Sequence, residues 1–194
     1  MTPTSSDISN YPPYWGIIST PSRWSKRITP GRWWCADNEA FTKKFDEGRF
    51  FDWLAIMRQY QLTCIFVVCP DVVADPIETR RLFDFYSPKI RELGYKVAFS
   101  CQDGQENLSF PDFDALFVGG STEWKLSTAA DDCIRYAQSI GKWVHVGRVN
   151  SQRRIRHFQQ INVDSVDGTS VCFAPNKNVK CLNKQLSQKP LFYI

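Results

Sequence analysis

Cys64-Ile65-Phe66-Val67-Val68-Cys69-Pro70-Asp71 is the stretch that decides the fold. Its apolar part is unbroken and rich in β-branched and aromatic side chains. A strand with one wet face alternates apolar and polar residues. An uninterrupted run belongs to a strand covered on both faces, which is the condition of a parallel sheet. The run closes on a proline and an aspartate. Asp75-Pro76 then reads as a helix start, with Asp at the N-cap and Pro at the first helical position. Strand, polar end, loop and helix follow one another.

The same unit recurs on both sides. Upstream, residues 14–19 and 33–36 read as short strands, the second ending at Asp37-Asn38. Phe50, Trp53, Leu54 and Met57 then repeat at helical spacing. Downstream, the helix opened by Pro76 carries the stripe Leu82, Tyr86, Ile90 and Leu93, with a kink expected at Pro88 and a stop at Gly94. Strands follow at 95–100, ending in Cys101-Gln102-Asp103-Gly104, and at 113–118, ending in Gly119-Gly120. Ser127 caps a helix with the stripe Ala130, Cys133, Ile134, Ala137 and Ile140. A strand at 142–146 ends at Gly147-Arg148, and Asn150-Ser151 opens a helix with Ile155, Phe158 and Ile161 on one face. The last clear strand is Ile161-Asn-Val-Asp164-Ser-Val-Asp167-Gly168-Thr169.

Regular alternation of strand and helix predicts an α/β protein with a parallel sheet and right-handed crossovers. We expect a (β/α)8 barrel, small or incomplete because an eighth strand is not evident. An open doubly wound sheet is the other reading. Residues 1–13 are expected to be a flexible N-terminus, 14–174 the barrel, and 175–194 a basic, solvated C-terminal tail with a short helix near 179–186.

Composition sets outer limits. The chain has 194 residues, 43% hydrophobic and 14% aromatic, enough for a buried core. A net charge of +4 permits a polyanionic partner without requiring one. No apolar run reaches membrane-spanning length and the N-terminus lacks a signal pattern, so a cytoplasmic location with no membrane contact is expected. The cysteines Cys35, Cys64, Cys69, Cys101, Cys133, Cys172 and Cys181 are irregularly spaced and mostly lie in apolar runs. They read as reduced packing residues rather than metal ligands, and no metal is expected.

Polar groups able to act on a ligand fall at strand ends: Asp37, Asp71, Gln102, Arg148 and the pair Asp164 and Asp167, with Gly119-Gly120 offering bare backbone. Each alone is compatible with a cap, a turn or an ion pair; their recurrence at successive strand ends points to one site. His145 reads as a core or supporting histidine. Nucleotide-loop, dinucleotide and serine-hydrolase signatures are absent. Carboxylate chemistry remains, in which one Asp attacks an electrophilic carbon and another moves a proton, as in retaining glycosyl transfer. Arg148, Arg153, Arg154 and Arg156, beside the helix opened by Asn150, form a candidate phosphate contact or an exposed helix face. With Arg23, Lys26, Arg27 and Arg32 they point to a nucleic-acid backbone. Trp33, Trp34 and Trp124 are candidate stacking or core residues.

These motifs resemble the tRNA-guanine transglycosylases and their DNA-modifying relatives. Trp34-Cys-Ala-Asp37-Asn-Glu-Ala-Phe41 is similar to the family's Ala-Asp-Ser-Gly-Gly-Phe segment, and Cys69-Pro-Asp71 falls where the family has its guanine-reading Asp. Ser100-Cys-Gln102-Asp-Gly104 and Val118-Gly119-Gly120-Ser-Thr-Glu123 resemble the Gln-Gly-Gly and Gly-Gly-Leu-Ala-Val-Gly-Glu segments that hold the base. Asp164-Ser-Val-Asp167 resembles the family's Asp-Met-Phe-Asp. The Ser-Gly-Gly of the first motif is Asn38-Glu39-Ala40 here, and the family's zinc subdomain has no counterpart. That difference turns the resemblance toward small phage-type members that insert 7-deazaguanines into DNA.

The resemblance implies Asp167 as nucleophile and Asp37 as proton-transfer acid and base. It implies base binding by Asp71, Gln102, Gly119 and Gly120, with Asp164 positioning Asp167 or binding sugar; Arg148, Asn150, Arg153 and Arg154, from their place at the helix start, are the candidate sugar-phosphate or supporting contacts. The implied partners are DNA and a free 7-deazaguanine such as preQ0, without a cofactor; a partner protein or homodimer is compatible with this. Exchange on tRNA, an N-glycosidase or deoxyribosyltransferase acting on small nucleosides, and a non-catalytic nucleic-acid-binding barrel stay open.

Overall fold

A computed structural model describes residues 11–12, 14–22, 31–42, 44–169, 175–186 and 192–193. Among these residues eight strands form one all-parallel sheet in chain order: β1 (Ile17–Ser19), β2 (Trp34–Ala36), β3 (Cys64–Val68), β4 (Val97–Cys101), β5 (Ala115–Val118), β6 (Trp143–Val146), β7 (Ser165–Val166) and β8 (Phe192–Tyr193). Five α-helices lie between them: α1 (Glu47–Met57), α2 (Pro76–Glu92), α3 (Thr128–Ser139), α4 (Gln152–Gln160) and α5 (Pro175–Leu186). A doubly wound sheet reverses its strand order at a switch point. Strictly sequential order excludes that reading.

The sheet curls. In a flat sheet β3 and β6 would lie roughly 14 Å apart at the usual strand spacing. Yet the Phe66 ring on β3 sits 5.5 Å from the His145 ring on β6. Alternation sorts the side chains onto two faces. Cys35, Phe66, Val68, Ala98 and Ala115 pack together inside the curl, with Phe117 and Trp143 against them. Val67, Val97, Phe99, Leu116, Val118, Val144 and Val146 face outward into the larger core shared with the helices. Among the described residues no pairing joins β8 to β1, so the sheet is an incomplete barrel.

The local signals act as their chemistry requires. Asp75 caps α2, accepting from the Glu78 N–H at 2.9 Å, and Pro76 opens the helix. The helix runs through Pro88 to Glu92; the proline lies on the solvent side. Its buried stripe is Thr79, Phe83, Tyr86, Ser87 and Ile90, with Leu82 only half-buried. Asp46 starts α1 earlier than the apolar spacing indicated, by accepting from the Arg49 N–H. Ser127 and Ser151 cap α3 and α4 in the same manner. Ile140 is exposed rather than part of the α3 stripe.

The C-terminal reading needs correction. Residues 175–186 are a full helix, and Leu182 and Leu186 are buried in the main core. After it, β8 adds to β7 in the register Ser165↔Phe192. The segment read as a solvated tail is therefore the last helix and strand of the sheet. Val179, Leu182 and Leu186 share one helix face, and that short stripe outweighs the surrounding lysines. Arg23, Lys26, Arg27, Cys172 and Lys189, like most of the N-terminal segment, lie outside the described residues. No described helix is long and apolar enough to cross a membrane.

Candidate active site

Parity along the strands decides what faces the cavity at the C-terminal ends. On β4 the inward positions continue to Gln102, on β5 to Gly119, on β6 to Gly147 and on β7 to Asp167. Asp37 and Asp71 follow β2 and β3. Curling brings these ends together: the carboxylate of Asp167, beyond β7, acts electrostatically on Asp37, beyond β2.

Asp71, Gln102 and Gly120 form one hydrogen-bonded wall. Asp71 Oδ1 accepts from Asn38 Nδ2 and Oδ2 from Gln102 Nε2, each at 2.7 Å. Gln102 Oε1 accepts from the Gly120 N–H at 2.9 Å and the Ala74 N–H at 3.2 Å. Asn38 also donates to the Cys69 carbonyl at 2.7 Å, and its Oδ1 accepts from Ala40 N–H. Every amide is thus fixed in direction. Burial pushes the Asp71 carboxyl up to about 6, against the pull of its two amide donors. A Cβ at Gly119 would stand 3.0 Å from Gln102 Nε2, and Gly120 adopts φ +67°, so this close backbone needs glycine.

Asp37 and Asp167 are pushed in opposite directions. Burial raises Asp37 above the ordinary carboxyl range, and nearby Asp167 adds to the rise against the hydrogen bond from Glu39 N–H. Burial works to raise Asp167 as well. There the His145 imidazole, 3.6 Å away, and the Arg148 N–H outweigh it, and the carboxyl lies below its ordinary value. Environments that shift two carboxyls in opposite directions suit the raised one to proton transfer and the lowered one to acting as a carboxylate.

Arg148 ties the two halves of the site together. It adopts φ +60°, a left-handed conformation that costs a non-glycine residue about 1–2 kcal/mol. The turn aims its N–H at Asp167 and carries its guanidinium across to the Gly120 carbonyl at 2.8 Å. The guanidinium also lies 4.0 Å over the exposed ring of Phe41. Next to it, Gly147 has no room for a side chain, because a Cβ would stand 2.9 Å from the Phe117 ring.

Asp164 is a correction. It precedes β7 whereas Asp167 follows it, so the two lie at opposite ends of the sheet. Asp164 Oδ2 accepts from the Val144 N–H at 2.7 Å, which makes it an internal tie across to β6. It lines a cleft at the strand N-termini with Lys142, Trp143 and Asn162, remote from the other site residues. Asn150 Oδ1 accepts from the Thr169 N–H and so fixes the loop after β7. Arg153 is exposed and Arg154 half-buried on the first turn of α4. Trp34 is fully buried in the outer core, donating to the Tyr60 carbonyl, and so is not presented for stacking, whereas Trp124 is half-buried and donates its Nε1–H to Glu106.

Lys125 was missed by sequence reasoning. It is 3% exposed and donates from Nζ to the Gly147 carbonyl at 2.7 Å. Burial, reinforced by Arg148, lowers its ammonium to about 8. Its position in a loop turn gives no periodic signal. Asn38, a departure from the resembled motif, orients Asp71. Among the described residues no group of three or more His, Cys, Asp or Glu side chains is placed to hold a metal. No protein-family model matches the chain, and no curated protein matches it.

Proposed function

We propose that this protein is a base-exchange transglycosylase that replaces guanine in DNA with a 7-deazaguanine, working at the mouth of a (β/α)8-type barrel. The observation that carries the reading is the pair of carboxyls Asp37 and Asp167, shifted in opposite directions, beside the directed wall of Asp71, Gln102 and Gly120. The motif order shared with the guanine transglycosylases supports it further.

A guanine leaves the stack, since its glycosidic bond is out of reach inside a duplex. Asp71 accepts from donors on the guanine edge, and Gln102 with the glycine loop holds the rest of that edge. An Asp167 oxygen attacks C1′ as the C1′–N9 bond breaks. Asp37, as the acid, gives its proton to N9 of the departing guanine. A deoxyribosyl ester of Asp167 results. The 7-deazaguanine enters the same pocket and returns a proton from N9 to Asp37 as N9 attacks C1′. The ester bond breaks and Asp167 is regenerated. One glycosidic bond replaces another, so no external energy source is required. Arg148, Arg153 and Arg154 supply positive charge for the flanking phosphates.

The test is nucleoside mass spectrometry of duplex DNA incubated with the protein and preQ0, beside Asp167→Asn. The wild type should incorporate the deazapurine. The variant should not, while retaining salt-dependent DNA binding. Incorporation by Asp167→Asn would remove Asp167 as nucleophile. Incorporation into tRNA or free nucleosides alone would reassign the substrate, and binding without any exchange would leave a nucleic-acid-binding barrel.

A further inference from the structure

His145 lies under Asp167 inside the curl, fully buried. Its ring is stacked on Phe117, with centroids 5.1 Å apart, and tilted against Phe66 at 5.5 Å. These two rings fix the imidazole plane. Nδ1 meets the Ser165 hydroxyl at 2.8 Å, and the same Ser165 oxygen accepts from Trp143 Nε1 at 2.9 Å. On the other side Nε2 has no hydrogen-bond partner and lies 3.6 Å from Asp167 Oδ1, just beyond hydrogen-bond range.

Proton counting settles the direction of this chain. Ser165 is fully buried, and its hydroxyl has one hydrogen to place. Trp143 can only donate to it. Among the described residues His145 Nδ1 is the acceptor placed to receive it. If Nδ1 carried a proton instead, the Ser165 hydrogen would be buried without a partner, which is unfavourable. Pairing the Ser165 hydrogen therefore requires a bare Nδ1, which puts the proton of the neutral ring on Nε2, the nitrogen that faces Asp167.

The geometry points to His145 as the positioning residue of Asp167, fixed by Trp143 and Ser165 as the Nε2–H tautomer. The imidazole presents one donor to the carboxylate from below while the Arg148 N–H holds it from the side. Both contacts fall on Oδ1, which leaves Oδ2 as the oxygen for attack. The other charged or titratable groups acting at this place are Asp37, Lys125 and the Cys35 thiol, which act on Asp167 through charge and not through a hydrogen bond. The assignment of a role in exchange rests on the transglycosylase reading; the relay itself does not.

The chain has two histidines, so ring-nitrogen 15N NMR of the substrate-free protein reads the tautomer directly, with His157→Gln assigning the second. A protonated Nε2 and bare Nδ1 at neutral pH is expected. The Nδ1–H tautomer or an imidazolium would overturn the proposal. A 13C titration of the Asp167 carboxyl then follows in His145→Leu, Ser165→Ala and His145→Gln, the last keeping an N–H near the Nε2 position. The carboxyl should titrate at higher pH in the first two and return toward wild type in the third. An unmoved Asp167 in folded His145→Leu and Ser165→Ala would also overturn it. In base exchange, His145→Leu should lower kcat about tenfold with little change in KM, and His145→Gln should recover most of it. If wild type performs no exchange while both titrations behave as expected, the transglycosylase reading fails and the relay stands.

Discussion

Asp71→Asn tests the directed wall by its dependence on pH. The Asp71 carboxyl titrates near 6 in the folded protein, against 3.8 as its ordinary value. A carboxyl raised on folding binds its proton more tightly in the native state, so the native state gains stability as pH falls. Between pH 7 and pH 5, these two values give a gain of about 1.3 kcal/mol from this group. Partial exposure to solvent trims this toward about 1 kcal/mol.

The asparagine variant lacks that gain. It also cannot accept at both positions, because Asn38 and Gln102 each present an N–H. Neither amide is free to flip: Gln102 Oε1 is held by Gly120 and Ala74, and Asn38 by Cys69 and Ala40. The variant thus removes a buried charge and leaves two donors facing each other, a penalty of about 1–3 kcal/mol. Urea unfolding of both proteins at pH 7 and pH 5 measures the double difference. Wild type should gain on the variant by about 1 kcal/mol toward acid pH. A difference that is constant or shrinks would refute the placement of Asp71 among desolvating neighbours.

Leu186→Ala should destabilise the protein by about 2–5 kcal/mol in the same unfolding assay, as expected for a buried leucine; a negligible change would detach α5 from the core. Lys125→Met should be close to neutral at pH 7. A lysine whose folded value is depressed to about 8 makes the native state the weaker proton binder, so stability is gained as pH rises from 7 toward 10. Wild type should therefore gain on Lys125→Met by roughly 1 kcal/mol between pH 7 and pH 9, and equal slopes would show that Lys125 is solvated. Asp167→Asn, described above, should lose exchange by at least about a thousandfold, the scale of removing a nucleophile.

The sequence determined the elements, because their signals are local. The run 64–69, the Asp75-Pro76 start and the Ser127 and Ser151 caps act within a few residues of themselves. It also determined that polar groups fall at strand ends, since alternation along a strand is a property of the chain. Only the tertiary structure decided which of these groups share a cavity. Asp164 and Asp167 are close in sequence, yet β7 is Ser165–Val166 alone, and the two carboxylates leave it at opposite ends. Asp37 and Asp167 are remote in sequence and come within electrostatic reach of each other because the sheet curls. Lys125 and His145 join the site through a carbonyl and a carboxylate on other elements, contacts that no spacing encodes. The lysine-rich C-terminal segment reads as solvent-facing by composition. The few apolar residues of α5 find a buried face only once the preceding strands have formed one.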